Sequence, residues 1–270
     1  MSQGPKKLHD KLHDSVLENT SVDSHFAMAS TTDQTTFTTV ANPDFGTLVA
    51  PLGVLPGGPY DYAYVDKSSS GPHSTVEVGA SLAALNGIIA TGNGKDTVDM
   101  ALSTGTNLVM AGNGHDNVVG GLGADTVLGG NGKDDLLGGA GDDALNGGTG
   151  KDHIVGGADT GVFSSTTDLV TGLSSTTFVA GDVLTGGEGK DVFEYAFGDG
   201  VDEITDFNVG QDSIAFDGIS ESDLVSFTDG VDLYIGLNDG VGGLTANSVV
   251  RVDGVTDMNE LLNQHSLLFV

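Results

Sequence analysis

AGNGHDNVV (111–119), GGLGADTVL (120–128), GGNGKDDLL (129–137), GGAGDDALN (138–146) and GGTGKDHIV (147–155) follow one another in blocks of nine with no slip in register. Glycine fills positions two and four of every block: Gly112 and Gly114, Gly121 and Gly123, Gly130 and Gly132, Gly139 and Gly141, Gly148 and Gly150. Aspartate fills position six, as Asp116, Asp125, Asp134, Asp143 and Asp152, and an apolar residue fills position eight. A flexible glycine-rich linker has no reason to hold aspartate and an apolar residue in phase with glycine. A fixed short period is the mark of a solenoid whose units bury a face only by stacking.

Weaker copies flank the run. TGNGKDTVD (91–99) carries Asp96 at position six, and LSTGTNLVM (102–110) puts Asn107 where aspartate belongs. After Asp152 an insertion breaks the array, and its SSTTDLVTGLSSTTF stretch reads as a loop. The repeat resumes with GGEGKDVFE (186–194) and Asp191. Asp182 fits the aspartate position without the glycines around it, and FGDGVDEITDF (197–207) is the last turn, with Asp202 and Ile204 in frame.

Each position has a physical task. Glycine reaches dihedrals closed to other residues, so GGxGxD is a tight turn that aims backbone carbonyls inward. The aspartate at its end adds a carboxylate. Hard oxygen donors suit Ca²⁺, which takes six to eight of them at about 2.3–2.6 Å. Softer metals want His or Cys, and neither lies in the repeat frame. The residues after each turn form a short strand with alternating faces. The position-eight side chains, Val98, Val109, Val118, Val127, Leu136, Leu145, Ile154, Phe193 and Ile204, then stack as a thin aliphatic core.

The pattern GGxGxDxUx (U an apolar residue) resembles the RTX, or haemolysin-type, calcium-binding repeats over residues 91–204. The resemblance implies an all-β fold, a parallel β-roll in which two nonapeptides make one coil. Turns two repeats apart then share an edge. Asp116, Asp134 and Asp152 would line one edge and Asp125 and Asp143 the other, with a weaker site where the amide of Asn107 faces Asp125. The metal ligands expected are thus Asp96, Asp116, Asp125, Asp134, Asp143, Asp152 and Asp191 with the ten glycines named above, holding several calcium ions. Affinities belong in the weak extracellular range, about 10⁻⁴–10⁻³ M.

Composition agrees. The chain has 270 residues and a formal net charge of −29, from 38 acidic against 9 basic side chains. Such a charge opposes a compact state unless cations neutralise it, and it argues against nucleic acid as a partner. Glycine is about 16 % of the chain, 43 of 270 residues, against an ordinary ~7 %. There is no cysteine, so a secreted chain needs another staple, and a metal is the obvious one. Stacked carboxylates about 4 Å apart repel by roughly 1 kcal/mol in water and ~4 kcal/mol near a protein surface. Each ion at tenfold excess over its dissociation constant returns about 1.4 kcal/mol. The roll is therefore expected to fold with calcium and to be largely disordered in chelator.

The chain divides into three parts: residues 1–85, the roll at 86–204, and a β-rich closing module at 205–270. Residues 1–20 have Leu8, Leu12 and Val16 at helical spacing, with His9 and His13 four apart and no third ligand. Residues 21–85 suggest short strands at TTFTTVA and STVEVGA around the turn-rich PLGVLPGGPYDY (51–62). The closing module reads as strands DSIAF, DLVSF, VDLYIGL and SVVRVDGV, then a final helix. It resembles the module that ends RTX arrays in secreted proteases, where an uncleaved C-terminal signal engages a type I secretion channel. The capping of an open solenoid end would by itself explain the segment. MSQGPKKLHDKLHDS does not read as a cleaved signal peptide, and no stretch of about 18 apolar residues is present.

These readings make an extracellular, non-enzymatic calcium-binding protein of a Gram-negative bacterium, exported by type I secretion machinery, with a structural or binding role toward a cell-surface or matrix partner. HExxH and GxSxG are absent from the sequence. The alternative is an accessory module of a secreted enzyme or membrane-active protein, with the activity in residues 1–85. Position nine points outward, yet carries Val119, Leu137 and Val155 in one stack and Met110 and Leu128 before Asn146 in the other. An apolar ridge covered by the N-terminal segment, by the 156–181 insertion or by another molecule is the expectation there.

Overall fold

Each repeat in the clean run yields one strand, and the strands alternate between two sheets. The structure is a computed structural model that describes residues 26–28, 62–65, 75–78, 84, 86–167, 174–238 and 244–270. Strands Leu108–Gly114, Thr126–Gly132 and Ala144–Gly150 lie side by side in an 11-stranded sheet, and Asn117–Gly121, Asp135–Ala140 and His153–Ala158 in an 8-stranded one. All of these pairings are parallel, with Val109 beside Val127 beside Leu145 and Val118 beside Leu136 beside Ile154. Each residue pairs with its equivalent in the next repeat but one, so one coil takes two repeats. The fold is the expected parallel β-roll.

Phase is preserved wherever the repeat is imperfect, because a one-residue slip would turn every side chain to the wrong face. Ile89 pairs with Val109 and Val98 with Val118, a spacing slightly longer than two repeats. The excess is absorbed at the turn where Ser103 N–H donates to Met100 O. Leu145 pairs with Leu184 and Ile154 with Phe193, so the whole insertion is looped out between equivalent positions. All nine position-eight side chains are buried and join one apolar cluster between the sheets.

Parallel pairing continues on both sides of the glycine-rich run. Tyr62–Val65 pairs with Gly87–Gly94, and Thr75–Glu77 with Thr97–Asp99. The expected helix over 1–20 and the TTFTTVA strand lie outside the described residues.

The insertion is not the plain loop its serines and threonines suggest. Val162–Thr167 and Ser174–Val179 form an antiparallel hairpin with Phe163 opposite Phe178. Threonine and phenylalanine fit a pleated surface, and the two rings give the hairpin something to cover. Phe163 and Phe178 pack on Tyr234, at ring distances of 6.2 and 5.6 Å, over a cluster that includes Val201 and Val249. The hairpin therefore covers the C-terminal part of the larger sheet, not the position-nine ridge. On that ridge Val119 and Val155 are half-buried and Leu137 is 36 % exposed, whereas Met110 is buried.

The closing segment forms the expected strands at Ser213–Asp217, Leu224–Thr228, Leu233–Asn238 and Leu244–Val252. The helix is short, Met258–Asn263, with Asp257 Oδ1 accepting from Asn259 N–H at its start. The chain then returns as strand Leu267–Phe269, parallel to Ser213–Asp217, and ends the smaller sheet. Among the described residues no helix is long and apolar enough to cross a membrane.

Candidate metal centre

The turns put the aspartates in two columns, one along each edge of the roll. Where the chain passes from the larger to the smaller sheet, the backbone N–H of Asp96 donates to Asp116 Oδ1 at 2.8 Å. Asp116 donates in the same way to Asp134, Asp134 to Asp152, Asp152 to Asp191 and Asp191 to Asp212, at 2.9–3.0 Å. On the opposite edge Asn107 donates to Asp125, Asp125 to Asp143 and Asp143 to Asp182, at 2.7–2.8 Å. The edge assignment expected from two repeats per coil holds for every aspartate of the clean run.

Each rung uses one oxygen and spares the other. Oδ2 of Asp116, Asp125, Asp134, Asp143, Asp152, Asp182 and Asp191 is buried and has no hydrogen-bond partner among the described residues. A buried carboxylate oxygen with nothing to accept from costs several kcal/mol, so seven in two straight columns are a demand for cations.

The glycines at position one show where those oxygens point. A Cβ added to Gly129 would lie 2.8 Å from Asp134 Oδ2 and 2.7 Å from the carbonyl oxygen of Gly147. At Gly138 the same point meets Asp143 Oδ2 at 2.4 Å and Gly156 O at 2.6 Å, and at Gly147 it meets Asp152 Oδ2 at 2.6 Å and Gly186 O at 2.8 Å. A carboxylate oxygen from one turn and a carbonyl oxygen from the next thus converge on one space, a mixed hard-oxygen set of the kind Ca²⁺ takes. The residues present fit the ion.

At the position-two and position-four glycines the Cβ point meets the backbone of the turn stacked below. Gly132 has φ +145°, and a Cβ there would fall 1.4 Å from Gly114 O. They let successive turns stack in contact. Of the ten expected from sequence, only Gly123 lacks a positive φ; a Cβ there would still meet Gly105 O at 2.3 Å.

Burial governs the charge state of these carboxyls. It is the largest cause pushing Asp116 and Asp143 to about 7, Asp125 and Asp152 to about 6 and Asp182 to about 8; the N–H donated from the preceding turn opposes it. Asp134 and Asp191 are raised for the same reason. Neighbouring carboxylates in the column add to the rise at Asp116 and Asp152. Asp125, facing an amide, is also raised by burial, but both the backbone and the side chain of Asn107 pull against that rise.

Sequence reasoning missed Asp212, which ends the first column, and the position-one glycines, although glycine fills that position in four of the five clean blocks. It left Asp182 outside the ligand set because the glycines of its repeat lie upstream of the insertion. Gly156 stands to Asp182 as Gly129 stands to Asp134, with the Cβ point 2.4 Å from Asp182 Oδ2. His115 is exposed and His153 lies against Glu194 at 2.9 Å, so neither histidine joins the columns.

The family description "RTX calcium-binding nonapeptide repeat (4 copies)" matches residues 103–136, 128–163 and 181–202. No curated protein matches the chain. Among solved structures, the chain is similar to the AlgE6R3 subunit of the mannuronan C5-epimerase from Azotobacter vinelandii, at 26 % identity and TM-score 0.35, over 56 % of this chain and 80 % of that one. It is also similar to the extracellular lipase LipA from Serratia marcescens, at 14 % identity and TM-score 0.26, over 68 % of this chain and 45 % of the lipase. With the two carboxylate columns, the family match identifies the roll: the chain carries an array of RTX calcium-binding nonapeptide repeats.

Proposed function

We propose that this chain is a secreted, non-enzymatic protein whose β-roll orders when it meets calcium outside the cell, and that the roll serves a structural or binding role there. The observation that carries the reading is the row of buried Oδ2 atoms without partners, which makes order and cation binding one event. Free calcium is scarce inside a bacterium, so the chain stays unfolded for export through a type I channel and folds on arrival. Strand Leu267–Phe269 pairs along Ser213–Asp217 at the edge of the smaller sheet, which supports a capping role for the closing segment. Sequence supports the absence of catalysis, since neither the zinc-protease helix nor the nucleophile elbow is present.

Far-UV circular dichroism of the full chain tests the folding claim. The β signal should fall by the roll's share in EDTA, return with millimolar calcium, and return poorly with equal magnesium, which demands a tighter octahedral cage. A spectrum indifferent to EDTA would refute it. Hydrolase assays and bilayer conductance on the calcium-loaded chain should both be blank.

A further inference from the structure

The insertion enters the array at a definite point. Gly156, Gly157 and Ala158 occupy positions one to three of a sixth repeat, and Asp182 is its position-six aspartate, displaced downstream by the insertion. Position four, glycine in every clean block, is Asp159. The split repeat therefore brings an extra carboxylate into the turn.

The fold makes room for it. A Cβ at Gly181 would lie 2.0 Å from Asp159 Cγ, and one at Gly200 would lie 2.3 Å from Asp159 Oδ1. The carboxylate is held by N–H donors from two segments: Gly161 at 2.6 Å to Oδ1, and Val201 at 3.2 and 3.0 Å to Oδ1 and Oδ2. These bonds orient Asp159 and leave lone pairs to spare. One ligand oxygen each from Asp159, Asp182 and Asp202 lie within 4.8 Å of one another. Asp182 is 0 % and Asp202 1 % exposed, and among the described residues Asp182 Oδ2 and Asp202 Oδ1 accept no hydrogen bond. The rung pattern stops at this point, for Asp202 Oδ1 lacks the backbone donor that fills Oδ1 in the regular turns. Among the described residues, no ion pair to any of the three carboxylates is found.

We propose that Asp159, Asp182 and Asp202 form a distinct three-carboxylate calcium site that fastens the inserted hairpin and strand Gly200–Ile204 to the last regular turn of the second edge. It rests on the calcium reading above and differs from the repeat sites in drawing a ligand from outside the motif. Three carboxylates make it more negative than a two-turn site, and ligand charge is what tunes calcium affinity. Removing the ion loosens the base of the hairpin, whose rings stay on Tyr234, while the upstream coils keep their own ligands.

The test counts calcium bound per full-length chain by equilibrium dialysis, for wild type, Asp159→Asn, Gly181→Ala and Asp199→Asn. Asp159→Asn should lose one ion per chain. Gly181→Ala keeps every charge but displaces the Asp159 carboxylate, and should lose the same ion. Asp199→Asn removes an equal charge beside Asp159 without removing a ligand, and should keep the full count. Hydrogen exchange in calcium should quicken at 174–179 and 200–204 in the first two variants and stay unchanged at 111–155. A full count in Asp159→Asn, or an equal loss in Asp199→Asn, overturns this site alone. A wild-type chain that binds no calcium overturns the reading beneath it.

Discussion

Between Leu108 and Val155 each strand contributes one inward position-eight side chain, Val109, Val118, Val127, Leu136, Leu145 or Ile154, the first strand adding Ala111, and the edges are stacked carboxylates. Between residues 205 and 270 the same two sheets continue over a different interior. Phe207, Phe216, Ile235, Val250, Val252 and Leu261 are buried together, with rings in contact at 6.1 Å (Phe193–Phe207), 6.2 Å (Tyr195–Phe216) and 5.9 Å (Phe216–Phe269). Arg251 supplies the cation there, bonding Asp253 at 2.7 Å, Glu203, and the face of Phe178. The closing segment fills its interior with large side chains; the roll lines its edges with buried carboxylates whose counter-charge must come from solution. Burial of aromatic area persists when ions are removed, whereas carboxylate columns lose their reason to stack.

Chelation should therefore separate the two regions, and this is the largest effect expected. In EDTA, amides across Leu108–Val155 should exchange at the rate of an unfolded chain, while those of Leu233–Val252 retain measurable protection. Uniform loss would break the comparison and make roll and cap one cooperative unit.

A crossed pair of substitutions sharpens the same contrast. Phe216→Ala removes a fully buried ring and should cost about 3–5 kcal/mol at any calcium concentration. Asp134→Asn sits between Asp116 and Asp152 and weakens the sites on both sides. At tenfold excess calcium that is about 3 kcal/mol, and it should fade to nothing as calcium is withdrawn. Denaturant midpoints for both variants across a calcium series read the difference directly.

The roll was legible because one constraint recurs: an error in the reading of one repeat is corrected by the next. The columns follow from the nine-residue spacing together with the two-repeat coil that the RTX resemblance implies, and the seven expected aspartates stand in them. What was not legible lies where the period is broken. Asp182 belongs with Gly156, on the far side of the insertion, a link made only in space. Asp212 follows a turn that keeps only the position-four glycine, Gly210; Asn208 holds it as well, its N–H donating to Asp212 Oδ2 at 2.8 Å. The hairpin's serines and threonines hid a paired structure whose cause, Phe163 against Tyr234, comes from a strand of the closing segment that is remote in sequence.

Acidity should act on the roll with opposite signs in the two metal states. Burial holds Asp116 and Asp143 near 7 and Asp182 near 8 in the folded chain, above their ordinary 3.8. A carboxyl raised on folding contributes stability that is complete below about 3.8 and is lost as pH climbs through 6–8. In chelator, acidification from pH 8 toward 4 should hence restore β structure. In calcium it should weaken binding, because protons compete for the same oxygens. Denaturant midpoints followed against pH with and without EDTA should give curves of opposite slope; parallel curves would mean that the columns do not carry the titration.

The smallest effect is expected where the second edge begins. Asn107 faces Asp125 with an amide whose nitrogen donates to Asp125 Oδ1 at 2.9 Å, Ser103 Oγ at 3.0 Å and Gly105 O at 3.0 Å. The side chain thereby supplies from within the chain part of what an ion supplies elsewhere, and Asp125 rises less than Asp143 and Asp182 in its column. Asn107→Asp exchanges those hydrogen bonds for a second carboxylate. In chelator the variant should lose about 1 kcal/mol of stability or somewhat more by like-charge contact. In millimolar calcium it should recover that loss and tighten the site at Asp125, since a charged ligand replaces a neutral one. Calcium titration read by calorimetry distinguishes the outcomes: a steeper calcium dependence of stability than wild type places the amide as a built-in substitute for an ion, and an unchanged dependence shows that the first turn of this edge never took one.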